Sequence, residues 1–268
     1  MTTTPGIRLP WTRPRVAVLE ITGAIGPQVR AQDLVRTIRS LTTDSRVKAV
    51  VIEIDSPGGS APASDAIYRQ LRKLSKKKPT VAFILGAGLS GGYLIACGAR
   101  HVMATPTSMV GSIGVIFVRP VIEELLTKIG VRVETTHEGK LKGMFQPWHA
   151  PSADEQAKVR ALTEEYYSWF VGAVAESRSL DVDTVRKYAT GEMYSGANAL
   201  ELGLIDELGD FDAALKKARA MAEMAERPRL QYVRPRRPLL ERVMARGMSA
   251  RDIAAEIEAR ILPRIEFR

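Results

Sequence analysis

The sequence predicts an α/β fold in which a largely parallel sheet is flanked by helices. Short runs rich in Val, Ile and Leu alternate with longer amphipathic stretches from Arg15 to Leu208, the pattern of βα units whose strands lie side by side. Several runs, 47–54 above all, are apolar at consecutive positions rather than at every second one, as strands covered on both faces are. Glycine-bearing turns close many of these runs. The chain shows no repeat of fixed period, and its 268 residues suffice for one sizeable domain. A hydrophobic share of 45% and a charged share of 26% are those of a globular protein.

Residues 15–21 predict the first strand, closed by Thr22-Gly23. A helix over 31–41 follows, with Leu34, Val35, Ile38 and Leu41 on one side. The strand at 47–54 ends in Asp55-Ser56-Pro57-Gly58-Gly59-Ser60, and a helix over 63–74 ends at Lys76-Lys77-Lys78-Pro79. A strand at 81–85 leads into Gly86-Ala87-Gly88-Leu89-Ser90-Gly91-Gly92-Tyr93, behind which 94–99 can continue as a helix. Further strands are expected at 100–104 and 131–136, with an apolar run at 115–118 and a helix at 121–129. Ser152, with Glu155 three residues on, marks the start of a long helix to about 177. Helices at 183–189, 197–202 and 210–226 complete the pattern. The tail after Arg227 changes composition and reads as an appendage, with an amphipathic helix expected over 239–261.

The net charge of +9 is unevenly spread. From Arg227 onward eleven Arg face five acidic residues, so +6 lies in the tail. Such a tail suits an anionic membrane surface or an acidic partner, or is simply a solvated helix face; nucleic acid is not expected. The one cysteine, Cys97, excludes an internal disulfide and lies in an apolar run typical of a buried core residue. No zinc-ligand spacing appears, and no metal or cofactor is expected. No run reaches the roughly 18 to 20 apolar residues that span a bilayer, and residues 1–15 lack the apolar core of a signal peptide. The expected location is the cytoplasm or the cytoplasmic membrane face, unless an anchor lies outside this sequence.

The chemistry centres on Ser90. A serine on a glycine-lined strand-to-helix turn projects its hydroxyl at a helix N-terminus, where free N–H groups suit a developing oxyanion. A serine needs an adjacent base. Of the three histidines, His101 starts a strand and His149 sits in a proline-bounded loop, leaving His137 as the one on a loop that could approach. No aspartate is placed to orient it. A lysine serves instead if burial or a cationic neighbour lowers its pKa well below about 10.4. Lys140 and Lys142 lie in a glycine-flanked loop and are the candidates.

The segments Asp55-Ser56-Pro57-Gly58-Gly59, Ser90-Gly91-Gly92-Tyr93, Gly111-Ser112-Ile113-Gly114-Val115 and Gly139-Lys140-Leu141-Lys142 occur in the order seen in the signal peptide peptidase A family. So does Tyr194-Ser195-Gly196, with Ala199 to Asp206 behind it. The resemblance covers roughly 16–215, and the combination carries it. It implies the Clp protease/crotonase-like fold of ββα repeats and a serine endopeptidase using a Ser-Lys dyad. Ser90 resembles the nucleophile and Lys142 the general base. Ser112 resembles the hydroxyl that orients the lysine, and the N–H groups of Gly59 and Gly91 resemble the oxyanion hole. The expected substrates are signal-peptide remnants or other unfolded, membrane-derived peptides.

The chain resembles the short form of the family, with one motif set. That form implies a ring-like homo-oligomer whose active sites are shared between subunits, the apolar helices after Ser152 and the tail being the expected contacts. Residues 1–14 then read as an extension, 15–226 as the peptidase domain and 227–268 as the basic tail. Leu89 stands where the family commonly has alanine, and the family's usual membrane anchor is absent from this sequence. The neighbouring peptidases that cleave stomatin-type proteins, a crotonase-type acyl-CoA enzyme and a non-catalytic peptide-binding scaffold are the alternatives.

Overall fold

A computed structural model describes residues 14–224 and 229–233, and the backbone of 264–267. The first strands are β1 (Arg15–Thr22), β2 (Val47–Ser56), β3 (Gly59–Ser60), β4 (Thr80–Leu89), β5 (His101–Ala104) and β6 (Met109–Gly111). After them come β7 (Ile116–Val118), β8 (Met193–Ser195), β9 (Glu207–Leu208), β10 (Arg229–Val233) and β11 (Arg264–Phe267). The helices are α1 (Ala31–Thr43), α2 (Ala61–Lys77), α3 (Gly91–Ala96), α4 (Glu123–Lys128), α5 (Ala153–Arg178), α6 (Val182–Tyr188), α7 (Gly196–Glu201) and α8 (Phe211–Met221). The main sheet runs β10-β1-β2-β4-β5-β9, all parallel, with β6 continuing beside the end of β4 and β8 antiparallel to β6. A second, small sheet has the order β3-β11-β7.

The consecutive apolar residues of the central strands are explained by cover on both faces. Leu19, Ile21, Ile52, Ile54 and Ile84 pack in one core with Leu34 and Ile38 of α1, Ile67 and Leu71 of α2, and Phe170, Val171 and Val174 of α5. Val16, Ala49, Val51, Val81, Phe83 and Met103 form the opposite core against Ala214 and Ala218 of α8. Phe83 meets Phe211 there edge-on, with ring centroids 6.2 Å apart. The long helix starts as expected. The Glu155 N–H donates to Ser152 Oγ (3.3 Å) and the Ser152 N–H to Glu155 Oε2 (2.8 Å), a complete capping box.

Several expectations are corrected. Residues 131–136 form no strand; every one is exposed, and none pairs with a neighbouring strand. Alternation alone cannot make a strand without a partner edge. The C-terminal half of α5 packs Phe170, Val171, Ala173, Val174 and Ala175 into the core, while Ala153, Ala157 and Ala161 in its N-terminal half are exposed. Exposed apolar side chains between β6 and α5 include Ile116, Val118, Val121, Leu125, Ile129 and Phe145. Part of the tail belongs to the fold, since β10 adds a parallel edge strand to β1 and β11 enters the small sheet. The helix expected over 239–261 lies outside the described residues. Among those described, no helix is long and apolar enough to cross a membrane.

Candidate active site

Strand β4 runs further than its apolar core, through Gly86-Ala87-Gly88 to Leu89, because Ala87, Gly88 and Leu89 pair with Met109, Val110 and Gly111 of β6. The turn into α3 is therefore reduced to Ser90 itself. Its backbone sits at φ 51° and ψ −119°, a region non-glycine residues rarely adopt and one that stores strain. Two bonds hold it there. The Ser90 N–H donates to the Gly111 carbonyl (2.8 Å), and the Ser90 carbonyl accepts the Leu94 N–H (2.9 Å). A strand, a strained serine and a helix in immediate succession have the local form that a nucleophile elbow takes. The hydroxyl is not exposed as the sequence suggested. Ser90 is fully buried, and its Oγ has no hydrogen-bond partner among the described residues.

The glycines after Ser90 serve packing as much as access. A Cβ on Gly91 would lie 2.2 Å from Ser64 Oγ, and one on Gly92 would lie 2.9 Å from the Ser56 carbonyl oxygen. The first turn of α3 can thus press against α2 and the end of β2 only because both side chains are hydrogen. Gly59, at φ +145°, is under the same constraint, since a Cβ there would lie 2.2 Å from the Ile25 carbonyl oxygen. Ile25 also underlies Gly91, its Cδ1 lying 3.4 Å from that residue's Cβ position. One buried isoleucine therefore supports both glycines whose N–H groups the sequence marked for the oxyanion.

Sequence reasoning passed over Ser56. It is fully buried; its Oγ donates to the Gly23 carbonyl (2.7 Å) and accepts the Gly58 N–H (3.2 Å). The Gly58 carbonyl in turn accepts the Ile25 N–H (2.8 Å), and the Ile25 carbonyl accepts the Ser60 N–H (2.9 Å). These bonds fix the Pro57–Ser60 loop on both sides of Gly59. The signal was present, a serine inside Asp-Ser-Pro-Gly-Gly, but a serine before a proline also suits an ordinary turn.

Ser112 is nearly buried at φ 49°, its N–H donating to the Glu192 carbonyl (2.7 Å). It follows directly on Gly111, the partner of both Leu89 and the Ser90 N–H, so the loop sits beside the elbow. Lys142 is not brought to Ser90 within the chain. It is exposed in a turn, its N–H donating to the Gly139 carbonyl (3.0 Å). Lys140 is engaged elsewhere, in an ion pair with Asp154.

No histidine among the described residues bonds Ser90 Oγ. His101 lies between Glu207 (3.1 Å) and Asp206 (3.7 Å). His149 places Nδ1 2.8 Å from the Ala150 carbonyl and Nε2 3.0 Å from the Gly143 carbonyl, with Glu155 at 3.7 Å. Two carbonyl acceptors favour the doubly protonated ring and raise its pKa, the Ala150 carbonyl most, with Gly143 and Glu155 adding to it. His137 is exposed. Cys97 is fully buried, and burial pushes its thiol up to about 11, the behaviour of a core residue.

Residues 115–150 form an arm that leaves the elbow and returns to α5. Arg119 ties its two halves, donating to the Met144 (2.5 Å) and His149 (2.7 Å) carbonyls, and the Ile122 N–H donates to the Pro147 carbonyl (2.8 Å). A cleft lined by Phe117, Arg119, Met144, Glu155 and Arg160, among others, lies where the arm meets α5; Ser90 is not part of it.

A family model described as peptidase family S49 matches residues 72–225, and one described as Clp protease matches residues 16–112. The chain is similar to a Synechocystis protein bearing the name "Putative protease", 34% identical over 233 residues that cover 87% of this chain and 83% of that one. It is 32% identical to the chloroplastic serine protease SPPA of Arabidopsis thaliana, over 84% of this chain and 35% of that one. Protease 4 of Salmonella typhi is 33% identical over 84% of this chain and 36% of its own. The chain thus spans about a third of the length of the latter two.

Proposed function

We propose a Ser-Lys mechanism on the premise that the chain belongs to peptidase family S49 and is a serine peptidase. The observation that carries the proposal is the Ser90 hydroxyl, buried at a strained elbow without a partner among the described residues. A buried hydroxyl left unsatisfied costs about 1–3 kcal/mol. Such a cost is tolerated where the missing partner arrives with substrate or with another chain.

In this reading the neutral amine of Lys142 takes the Ser90 proton as Oγ attacks the scissile carbonyl. The oxyanion accepts hydrogen bonds from the N–H groups of Gly59 and Gly91, and the ammonium returns its proton to the leaving amine. Water then cleaves the acyl-serine by the same route. Ser112 holds the amine in place. Loss of one preorganised oxyanion donor is worth about 3 kcal/mol in comparable enzymes.

Because Lys142 is exposed on the arm while Ser90 is buried at the elbow, the dyad is completed between copies. The arm of one subunit carries Lys142 to its neighbour's Ser90 in a ring-like homo-oligomer. The exposed Ile116, Val118, Leu125 and Ile129 on that arm support this, since apolar groups gathered on one segment suit a protein contact. The substrates are unfolded or membrane-derived peptides, signal-peptide remnants among them. The protein works in the cytoplasm or at the cytoplasmic membrane face, where the basic tail meets anionic lipid or an acidic partner.

The deciding experiment is hydrolysis of casein by the wild type, Ser90→Ala and Lys142→Ala between pH 6 and 10. Both variants should be inactive, and wild-type activity should rise through one apparent pKa below about 10.4. Retained activity in Lys142→Ala, with loss in His137→Ala, would transfer the base to the histidine.

A further inference from the structure

Strand β4 outruns its neighbour over one short stretch. On the β2 side Ile84 lies opposite Ile54 and Gly88 opposite Ser56, so β4 advances from 84 to 88 while β2 advances only from 54 to 56. Within that stretch β4 also changes partners on its other edge, from β5 at Ile84 (opposite Ala104) to β6 at Ala87 (opposite Met109). The bulge at 85–87 sets the height of Ser90. In an unbroken ladder Ser56 would stand opposite Gly86, and Ser90 would project two residues further, about 7 Å. With the bulge the chain is drawn back, and the turn into α3 meets the end of β2, where Gly92 closes on the Ser56 carbonyl oxygen.

A bulge deprives backbone groups of their ladder partners. Side chains supply partners here from both flanks. Asp55, the β2 residue across from the bulge, accepts the Ala87 N–H on Oδ1 (2.9 Å). Gly86 admits it, since a Cβ there would lie 2.8 Å from that oxygen. On the other flank Ser108, buried just before β6, donates from Oγ to the Ile84 (2.8 Å) and Leu85 (3.1 Å) carbonyls. Ser108 is itself held. Its Oγ accepts the Thr105 N–H (3.1 Å), and its carbonyl accepts the Gly196 N–H (2.8 Å).

We propose that Asp55 and Ser108 are positioning residues for the nucleophile: they pin the β4 bulge, and the bulge sets Ser90 against the loop that carries Gly59. The proposal rests on the reading of Ser90 and Gly59 given above. Neither side chain touches substrate; each acts through the backbone of 84–87. Misplacing a reacting atom by about 1 Å is enough to cost about a hundredfold in rate, and a bulge that slips by one residue moves the chain by about 3 Å.

The test compares Asp55→Ala, Asp55→Asn, Ser108→Ala and Gly86→Ala in the full chain. Asp210→Ala is the control for stability alone, because it removes the cap of α8, where Asp210 accepts the Ala213 N–H (2.8 Å). Casein kinetics, denaturant unfolding and amide exchange of Ala87, Ser90 and Gly91 are read. Asp55→Ala and Ser108→Ala should lower kcat about ten- to a hundredfold with KM little changed, and should speed exchange at Ala87 and Ser90. Asp55→Asn keeps the oxygen acceptor and should retain most of the wild-type kcat. Gly86→Ala pushes the carboxylate aside and should match Asp55→Ala, and the two changes together should cost no more than either alone.

Variants that lose stability as Asp210→Ala does, with kcat intact, would reduce both residues to structural bonds and overturn the proposal. A loss in Asp55→Asn equal to that in Asp55→Ala would overturn the acceptor role, and a change confined to KM would overturn the positioning of Ser90. If the wild type hydrolyses no casein, the peptidase reading fails by itself, and exchange at Ser90 and Gly91 in the variants still decides whether the bulge holds the elbow.

Discussion

Ser64 Oγ lies 2.2 Å from the point where a Cβ on Gly91 would stand. Ser64 is fully buried on α2 and donates to the Ser60 carbonyl (2.9 Å), so it cannot move aside without losing that bond. The residue after Ser90 is thus fixed as glycine by its contact with α2.

Gly91→Ala should cost about 1–3 kcal/mol of stability through overpacking and should abolish hydrolysis, because α3 must shift away from Ser64. Adding Ser64→Gly should recover much of the stability in chemical denaturation. If the single variant is as stable as the wild type, the contact is not the constraint described here.

Ser56→Ala leaves the Gly23 carbonyl and the Gly58 N–H without their shared partner. We expect a loss of about 1–3 kcal/mol, and a fall in kcat larger than any rise in KM, since the loop carrying Gly59 loses its anchor. Steady-state kinetics beside an unfolding curve separates the two effects. A change confined to KM would argue against Ser56 as a positioning residue.

Ser90→Ala should be inactive yet no less stable than the wild type. It removes a buried hydroxyl without a partner among the described residues, whose desolvation costs about 1–3 kcal/mol. Ser90→Gly should be more stable again, because glycine accepts φ 51° without strain. Thermal unfolding of the three proteins checks the order, and a marked destabilisation of Ser90→Ala would mean that the hydroxyl is bonded.

The pH response of the arm should follow His149. Its pKa is raised in the folded protein by the Ala150 and Gly143 carbonyls and by Glu155, with burial and Arg119 opposing. The contribution is therefore complete below the unfolded value of about 6.5 and is lost as pH rises through the higher folded value. The stability difference between the wild type and His149→Ala should shrink over that interval. Because Gly143 directly follows Lys142, amide exchange of 140–146 should quicken over the same interval in the wild type. A difference that grows with pH would reverse the assignment.

Leu125→Glu with Ile129→Glu, on a face exposed in the single chain, should lower the mass measured by light scattering and abolish casein hydrolysis while leaving the fold intact by circular dichroism. A fully active monomer would show that Lys142 and Ser90 meet within one chain.

Much of the fold could be read from the residues. Continuous apolar runs marked β1, β2 and β4 because burial on both faces removes the need for alternation, and Ser152 with Glu155 marked the start of α5 because capping is a local interaction. The segment 131–136 had a strand's composition and no strand to pair with, which only the assembled chain reveals. The motifs around Ser90, Gly59, Gly91, Ser112 and Lys142 were legible, and with them the family.

By itself, then, the sequence determined the parallel α/β frame and the serine elbow, since periodicity, capping and glycine turns act over a few residues. Only the tertiary structure decided that Ile25 and Ser64 dictate the glycines, that Ser56 anchors the loop, that Lys142 is exposed away from buried Ser90, and that residues 264–267 lie between β3 and β7. Each of these joins residues far apart in the chain by close approach or backbone pairing, and no local pattern encodes which distant atoms will meet.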